Sequence, residues 1–359
     1  MALAAERFVY SETPSFDEEI NSAMPRKYLW LLVIVLLIVS WQWLRTNFTE
    51  HERQARTQVR DSVAAAFPEM ASEAQERFAI RRLSSPAANG REVLLLHGLD
   101  DPGQVWMNLA PVLAANGHGV LQLDYPNDQS VAESARFLAQ QLEELGTEGV
   151  SRVELVAHSM GGLVSRELLT SPGLACEAPV CVRPQVSRLI MVGTPNHGSD
   201  LARFRALGEV REQVSRLFGG EAGWLDWIFD GAGEAGLDLL PGSAFLRELN
   251  ARPQPEGVRM LVIAGEIGKE QWDALDALLQ QHTGELPQAL REARQHLGDG
   301  LVSVDSARLP GAPLVRVPGN HLSIIRNVSV ESTRMPPAIP IILQQLGDGE
   351  EAPGQQTGN

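Results

Sequence analysis

The sequence predicts an α/β protein with a doubly wound, mostly parallel sheet and helical insertions, preceded by one transmembrane helix. Short apolar runs that alternate with helical patterns from residue 91 onwards indicate the sheet. Nearly continuous apolar runs are typical of strands that are buried on both faces of a parallel sheet. A longer apolar run at residues 28–44 indicates the transmembrane helix. The predicted strands are EVLLLHG, GVLQLDYP, VELVAHS, RLIMVGTP, VRMLVIAGE and PLVRVPGN.

The N-terminal apolar run contains eleven uninterrupted apolar residues, Leu29–Val39, with aromatic residues at both ends. As a helix, residues 28–44 span about 25 Å, which is near the lower limit for crossing a bilayer. A cleaved signal peptide is the alternative. The preceding tail, residues 1–27, is long and acidic, however, and no A-x-A-like cleavage site follows the run. We therefore expect an uncleaved single-pass membrane anchor.

Two observations bear on the orientation of this anchor in the membrane: the basic residues on its two sides and the cysteine pair. Arg26 and Lys27 precede the run and Arg45 opens a group of arginines after it, and this local count places the C-terminal body in the cytoplasm. Large domains translocate largely regardless of such counts. The only two cysteines, Cys176 and Cys181, form either a small disulfide loop or two free thiols. Because a disulfide would persist only in an oxidising compartment, we expect the body in the periplasm or otherwise outside the cytoplasm.

Composition excludes some classes of function. The chain has 359 residues, of which 44% are hydrophobic, so it can bury a large core. Its net charge of -15 would repel polyphosphates, and we expect no nucleic-acid partner. The cysteine pair lacks the second pair or the histidines that a zinc site needs, and we predict no metal site.

The domain organisation follows from changes in pattern along the chain. Residues 45–87 are charged and alanine-rich, which predicts a helical stalk and a linker. The α/β domain is predicted over residues 88–347, with helical insertions at about 200–250 and 268–298. Residues 348–359 are predicted to be a disordered tail. Apolar residues at helical spacing predict a helix between the second and third strands: Val131, Ala135, Leu138, Leu142 and Leu145.

Ser159 follows the third predicted strand, at the turn into a helix. Ligands and chemistry gather at the carboxyl ends of the strands in such a sheet. A sharp strand-to-helix turn requires small residues two positions before and after the serine, and Ala157 and Gly161 supply them. Gly162 lets the new helix pack close to the strand. This pattern is the nucleophile elbow G-x-S-x-G with alanine first, and it favours a nucleophile over an ordinary N-cap serine.

A serine nucleophile needs two N–H donors for the oxyanion that forms during its reaction. The first strand ends at His97 and Gly98, where a glycine lets the main chain turn inwards at the level of Ser159. We therefore expect the N–H groups of Leu99 and Met160 to form the oxyanion hole. His97 is predicted to hold this loop by hydrogen bonds.

The nucleophile also needs a base and a carboxylate that orients the base. His321 lies in the loop after the last predicted strand, and Asp299 lies in a turn flanked by glycines. We predict that His321 accepts the proton of Ser159 while Asp299 fixes the tautomer of His321. The alternatives that we regard as weaker are Asp305 as the acid and His158 or His197 as the base.

Together, HGLDD, AHSMGG, VGTPNHGSDLA, DLLPGSAFLRELN, GDGLVSVDSARL and GNHL resemble the bacterial lipase and esterase branch of the α/β-hydrolases, including membrane-associated relatives similar to GPI-inositol deacylases. The motifs cover most of residues 91–325, and the order Ser, Asp, His is the order of that superfamily. The resemblance implies hydrolysis of acyl or lipid esters through an acyl-enzyme, without a cofactor. Some relatives bind a structural calcium, but no clear ligand set is present here.

Two other functions use the same features. One is an acyltransferase that passes the acyl group to an alcohol or amine, and the other is a catalytically silent membrane scaffold. The completeness of the predicted site favours the hydrolase. The first insertion contains an apolar stripe followed by WLDWIFD, which predicts either a cap over an acyl pocket or plain core packing.

Overall fold

The computed structural model describes residues 78–87, 91–99, 103–127, 129–176, 181–199, 234–268, 298–327 and 332–347. The strands in these ranges are β1 (Ala79–Arg82), β2 (Arg91–Leu96), β3 (Gly119–Asp124), β4 (Arg152–His158), β5 (Gln185–Val192), β6 (Arg259–Glu266) and β7 (Leu314–Pro318). They form one sheet in the order β1-β3-β2-β4-β5-β6-β7. All neighbouring pairs are parallel except β1 with β3, which is antiparallel. This is the mostly parallel sheet that the sequence predicts.

Helices cover both faces of the sheet. Those in the described ranges are α1 (Leu109–Ala115), α2 (Val131–Thr147), α3 (Met160–Thr170), α4 (Glu234–Asp238), α5 (Ala244–Ala251), α6 (Val304–Ala307) and α7 (Ala338–Gly347). The start of α2 shows how the local sequence sets a boundary. Ser130 is its N-cap and accepts a hydrogen bond from the N–H of Glu133 at 3.3 Å, which satisfies a donor that has no partner within the helix.

The alternation of side chains along the strands divides the core into two layers. In β2, Leu94 and Leu96 face one layer, while Val93 and Leu95 face the other. Helices α2, α3 and α5 pack their apolar side chains into the first layer, and α1 and α7 pack into the second. Because both faces are covered, the central strands carry apolar side chains on both faces, as is typical of a parallel sheet between two helical layers.

The sequence prediction is wrong for Ala79–Arg82, which forms the edge strand β1 and is not part of a stalk or linker. The domain therefore begins before the predicted residue 88. The strand is short, and half of it is arginine, so it lacks the apolar run that identifies the other strands. Long-range polar contacts hold it: the N–H of Ile80 donates to the side chain of Gln141, and Arg82 pairs with Glu92 at 3.0 Å. Charged side chains are common on edge strands.

The C-terminal boundary predicted for the first insertion, at about residue 250, also lies too far along the chain. Leu246 and Leu249 of α5 are buried in the first core layer, so this part belongs to the body of the domain. Apolar residues on one side of a short helix do not reveal from sequence whether they face a core or a cap. Residues 201–233 and 269–297, and with them WLDWIFD, lie outside the described residues.

The predicted anchor at 28–44, the tails at 1–27 and 348–359 and most of the predicted stalk also lie outside the described residues. Among the described helices, none is long and apolar enough to cross a membrane. Cys176 and Cys181 are joined in a disulfide, which decides between the two alternatives for the cysteine pair.

Candidate active site

Ser159 occupies a strained corner between β4 and α3. Of the non-glycine residues that the structure describes, it alone has a positive φ, 53°. Such backbone conformations cost about 1–3 kcal/mol and persist where the surroundings enforce them. One constraint is a hydrogen bond from the N–H of Ser159 to the carbonyl of Val192 at 2.8 Å. Another is the close approach at Gly161, where an added Cβ would lie 2.6 Å from the carbonyl oxygens of Leu96 and His97.

The other small residues around Ser159 lie in close contacts. Ala157 is fully buried in β4, between Leu96 of β2 and Met191 of β5. Gly162 faces the side chain of Thr194 so closely that a Cβ at this position would collide with it. The first turn of α3 therefore packs directly on the segment that follows β5. Any larger side chain at residues 161 or 162 would push this helix, and Ser159 with it, away from the sheet.

Asp299 and His321 form a buried, oriented pair. The Nδ1 atom of His321 lies 2.7 Å from Oδ2 of Asp299, and the two side chains are 7% and 1% exposed. The other oxygen, Oδ1, accepts hydrogen bonds from the N–H groups of Leu301 and Val302 at 2.9 and 2.8 Å. The N–H of His321 also donates to the carbonyl of Asp299 at 2.9 Å. Because a carboxylate accepts and cannot donate, this arrangement places a proton on Nδ1 and leaves Nε2 as the basic nitrogen.

Ser159 and the Asp299–His321 pair lie at the same edge of the sheet, against the end of β5. Val192 accepts the N–H of Ser159, and the next residue is Gly193. A Cβ on Gly193 would lie 3.1 Å from Nδ1 of His321 and 3.2 Å from Oδ2 of Asp299. The absence of a side chain at Gly193 therefore leaves room for the pair at the end of β5. Ser159 and the pair, 140 and 22 positions apart in the sequence, thus both lie against consecutive residues at the end of β5.

The loop after β2 also reaches the serine. A Cβ on Gly98 would lie 2.8 Å from Cβ of Ser159, so the two backbones are in close contact. His97 is buried, and its Nδ1 lies 2.7 Å from the carbonyl oxygen of Gly98, which makes Nδ1 the donor. Leu99 follows in this loop, and Met160 is the first residue of α3 on the other side of Ser159. The first N–H groups of a helix have no partner within it and are available to an anion.

The alternative acid and bases occupy different places. The side chain of Asp305 is 84% exposed and pairs with Arg308. His197 is exposed and contacts Asn250. His158 is buried, and its Nε2 donates to the carbonyl oxygen of His321 at 3.0 Å. Burial, followed by the neighbouring imidazole of His321, lowers the pKa of His158 well below its usual value, so this ring is neutral.

The described residues contain no group of three or more His, Cys, Asp or Glu side chains that could hold a metal ion.

Comparison with known proteins places this chain in a family. The model of the family described as "Domain of unknown function (DUF7379)" matches residues 54–305, which is more than half of the chain. The chain belongs to this family. The segment that the DUF7379 model matches contains Ser159 and Asp299 and ends before His321. None of the curated proteins matches the chain.

Solved structures show which fold the DUF7379 chain has. The mature lipase BlEst2 of Bacillus licheniformis is 22% identical with a TM-score of 0.51, and the match covers 75% of this chain and 97% of the lipase. The phospholipase PlaB of Legionella pneumophila is 18% identical with a TM-score of 0.50, and the match covers 71% of this chain and 60% of PlaB. Their fold is the α/β-hydrolase fold, and the resemblance stated from the sequence is confirmed at this level.

Two residues of the DUF7379 chain that contact the loop after β2 were not predicted from the sequence. The hydroxyl of Tyr125 donates to the carbonyl of His97 at 2.8 Å, and Nδ2 of Asn127 donates to the carbonyl of Gly98 at 3.2 Å. Both follow the carboxyl end of β3, in the tripeptide Tyr-Pro-Asn. Polar residues directly after a buried parallel strand were the signal that could have identified them.

A network of buried side-chain hydrogen bonds also holds the segment after β5. Arg166 of α3 donates to the side chains of Asn196 and Asn250, each at 3.0 Å, and Asn196 donates to the carbonyl of Ala307 at 2.7 Å. Burial lowers the pKa of Arg166 to about 10, so the guanidinium remains charged at neutral pH. The network joins α3, the helix that follows Ser159, to three later segments of the chain.

Proposed function

We propose that this DUF7379 protein is a serine hydrolase that cleaves acyl or lipid esters through an acyl-enzyme on Ser159. One observation carries the proposal: the strained serine corner lies at the same sheet edge as the buried Asp299–His321 pair, whose Nε2 is left basic. A strained nucleophile, a base and a carboxylate that orients the base are the components of the serine hydrolase mechanism.

In this mechanism, Nε2 of His321 accepts the proton of the Ser159 hydroxyl while the oxygen attacks the ester carbonyl. The negative charge on the resulting tetrahedral intermediate is stabilised by the N–H groups of Leu99 and Met160. His321 then returns its proton to the leaving alcohol. Water repeats the sequence on the acyl-enzyme and releases the acid. Asp299 stabilises the imidazolium at each stage, and Leu301 and Val302 hold its other oxygen in place.

The ester class is supported by what the similar structures are called, a lipase and a phospholipase. The apolar N-terminal run supports the same class, since an anchor at residues 28–44 would hold the domain near lipid substrates. The disulfide between Cys176 and Cys181 favours a body outside the cytoplasm, because such bonds persist in oxidising compartments. Cleavage of the body by protease added to spheroplasts, whose cytoplasmic membrane is intact and whose periplasm is open, fits this orientation, and protection from it contradicts it.

The test uses the full chain, purified in detergent, and a fluorophosphonate probe that labels activated serines. We expect the wild type to take the label and to hydrolyse p-nitrophenyl esters, with a maximum rate at one acyl chain length. Ser159→Ala should lose the label and at least about a thousandfold in rate. The control is Ser151→Ala, which changes an exposed serine immediately before the same strand, at its opposite end.

Three results decide between the candidate functions. Labelling of wild type and Ser151→Ala, but not of Ser159→Ala, together with free acid as the product, supports the hydrolase. Product that forms only when an acceptor alcohol or amine is supplied shows the acyltransferase instead. A folded wild-type protein that takes no label contradicts both, and leaves the scaffold.

A further inference from the structure

The backbone after β2 is held by side chains from the loop after β3. Tyr125 and Asn127 donate to the two successive carbonyl oxygens of His97 and Gly98, at 2.8 and 3.2 Å. β2 and β3 are parallel neighbours, with Leu96 opposite Leu123, so the residues that follow these strands leave the sheet side by side. The contacts therefore cross from one strand end to the next, at the edge where Ser159 lies.

The planarity of the peptide bond links these carbonyls to the N–H groups that follow them. In a trans peptide, the C=O of one residue and the N–H of the next point in opposite directions within one rigid plane. A donor that fixes the carbonyl of Gly98 therefore fixes the direction of the N–H of Leu99. In the same way, the hydroxyl of Tyr125 fixes the plane between His97 and Gly98 through the carbonyl of His97.

Because residue 98 is a glycine, its backbone needs these donors to hold its peptide planes in place. It lies so close to Ser159 that a Cβ would clash, and this contact explains the requirement for glycine. Glycine also leaves the backbone free to rotate, so the plane between Gly98 and Leu99 has no side chain of its own to hold it. The carbonyl of Gly98 accepts from Nδ1 of His97 at 2.7 Å and from Asn127, two donors on one oxygen.

We propose that Asn127 and Tyr125 are positioning residues that aim the N–H of Leu99 at the oxyanion by holding the carbonyls of Gly98 and His97. This inference rests on the proposed hydrolase function and adds two residues to it. Neither residue needs to touch the substrate. Their effect falls on the transition state, because the ester carbonyl gains its negative charge only there.

Tyr125 is well suited to this role. Its side chain is buried, and its ring stacks on that of His97 with centroids 4.5 Å apart. Burial raises the pKa of the Tyr125 hydroxyl far above its usual value, so the hydroxyl remains a donor over the whole working range of pH. The stacking also orients His97, the second donor to Gly98. The three side chains therefore hold the loop as one unit.

The main test is Asn127→Leu, which keeps the approximate size of the side chain and removes the donor. We expect kcat for a p-nitrophenyl ester to fall about tenfold with KM within twofold, since His97 still holds the carbonyl of Gly98. An alkyl boronic acid, which forms a charged tetrahedral adduct with the serine, should bind about tenfold more weakly. Tyr125→Phe retains the ring, and the double variant should lose about a hundredfold in kcat.

The matched control is Asn116→Leu. Asn116 also donates its side-chain amide to a carbonyl, that of Val112 at 2.8 Å, at the end of α1. This variant should keep the kcat and the boronic acid affinity of the wild type. All rates are expressed per molecule labelled by the fluorophosphonate at completion, which corrects for inactive protein.

Three results would overturn the inference. The first is a normal kcat and normal boronic acid affinity in Asn127→Leu and in the double variant. The second is a raised KM with unchanged kcat, which indicates a substrate contact. The third is a loss of rate that disappears after correction for labelled molecules, which indicates a role in folding alone. In all three, the wild type still hydrolyses esters and Ser159→Ala does not. A wild type without label or activity removes the proposed function itself, and the inference with it.

Discussion

The two ends of the parallel sheet each bury a carboxylate with a basic partner, but the partners differ. Near the amino end of β4, Glu154 contacts Arg91 at 2.8 Å and Arg188 at 3.2 Å. At the carboxyl edge, Asp299 contacts His321 at 2.7 Å. The sheet thus has a buried carboxylate with a basic partner near each of its two ends.

The chemical difference between the partners separates structure from catalysis. A guanidinium stays protonated throughout the physiological range, so the contacts of Glu154 hold the charges in place and transfer no proton. An imidazole gains and loses its proton near neutral pH. The Asp299–His321 pair, at the edge where the strained Ser159 lies, can therefore transfer a proton, whereas the contacts of Glu154 with its arginines cannot. Changes at the two ends should accordingly affect different measurements.

Asp299→Asn should have the largest effect. Asparagine can still accept the N–H groups of Leu301 and Val302 through its oxygen, but its NH₂ group then faces Nδ1 of His321. Nδ1 must become the acceptor, and Nε2 then carries the proton and can no longer take one from Ser159. We expect kcat to fall by roughly a thousandfold or more with little change in the free energy of unfolding.

Asp305→Asn is the control for this substitution. The side chain of Asp305 is 84% exposed, and it contacts Arg308 from the surface. The change should leave kcat as it is and alter stability by less than about 0.5 kcal/mol. If Asp305→Asn abolished hydrolysis while Asp299→Asn did not, Asp305 would be the acid and the assignment of Asp299 would be wrong.

In contrast to Asp299→Asn, Glu154→Gln should lower the free energy of unfolding and leave kcat unchanged. It leaves the buried Arg188 and the half-buried Arg91 without their carboxylate. Removing one partner of a buried ion pair costs about 3 kcal/mol or more, and urea unfolding would measure the loss. The rate per labelled molecule should match that of the wild type, because the change lies at the other end of the strand. A large fall in kcat without destabilisation would show that the two ends are coupled.

The sequence predicts well those parts of the molecule that depend on local pattern. The strands β2 to β7 follow from their apolar runs, and the corner at Ser159 follows from small residues at fixed spacing. The edge strand β1 could not be predicted, because two of its four residues are arginines and its pairing with β3 is antiparallel.

Contacts between segments that are distant in the sequence could not be predicted from local pattern either. Asp299 and Asp305 are six positions apart, and the flanking glycines favour Asp299 without excluding Asp305, but the hydrogen bond of Asp299 to His321 is visible only in the fold. Asn127 reaches the carbonyl of Gly98 across two strand ends. The disulfide was one of two open alternatives, since spacing alone does not determine the distance between two cysteines.

The two ends of the sheet also differ in a histidine whose pKa is lowered, and we expect this difference to have a smaller effect on stability. His158 lies at the carboxyl edge, fully surrounded by protein, with His321, Arg326 and His97 as the charged or titratable groups that disfavour its protonation. His118 is only half-buried, and it lies near Glu154 and Arg91 at the amino end. Burial is the main cause of the lowered pKa in both, but Glu154 opposes it for His118.

A lowered pKa in the folded protein means that the unfolded chain binds a proton more readily. Stability due to the neutral ring of His158 is therefore complete above about pH 6.5 and is lost as the pH falls below it, by up to about 1.4 kcal/mol per pH unit. In His158→Gln, whose amide can still donate to the carbonyl of His321, urea unfolding between pH 8 and pH 5 should show a shallower decline than in the wild type. His118→Gln should change the decline much less. Equal declines in the wild type and His158→Gln would mean that His158 has the same pKa in the folded and the unfolded protein, and would contradict the lowered pKa.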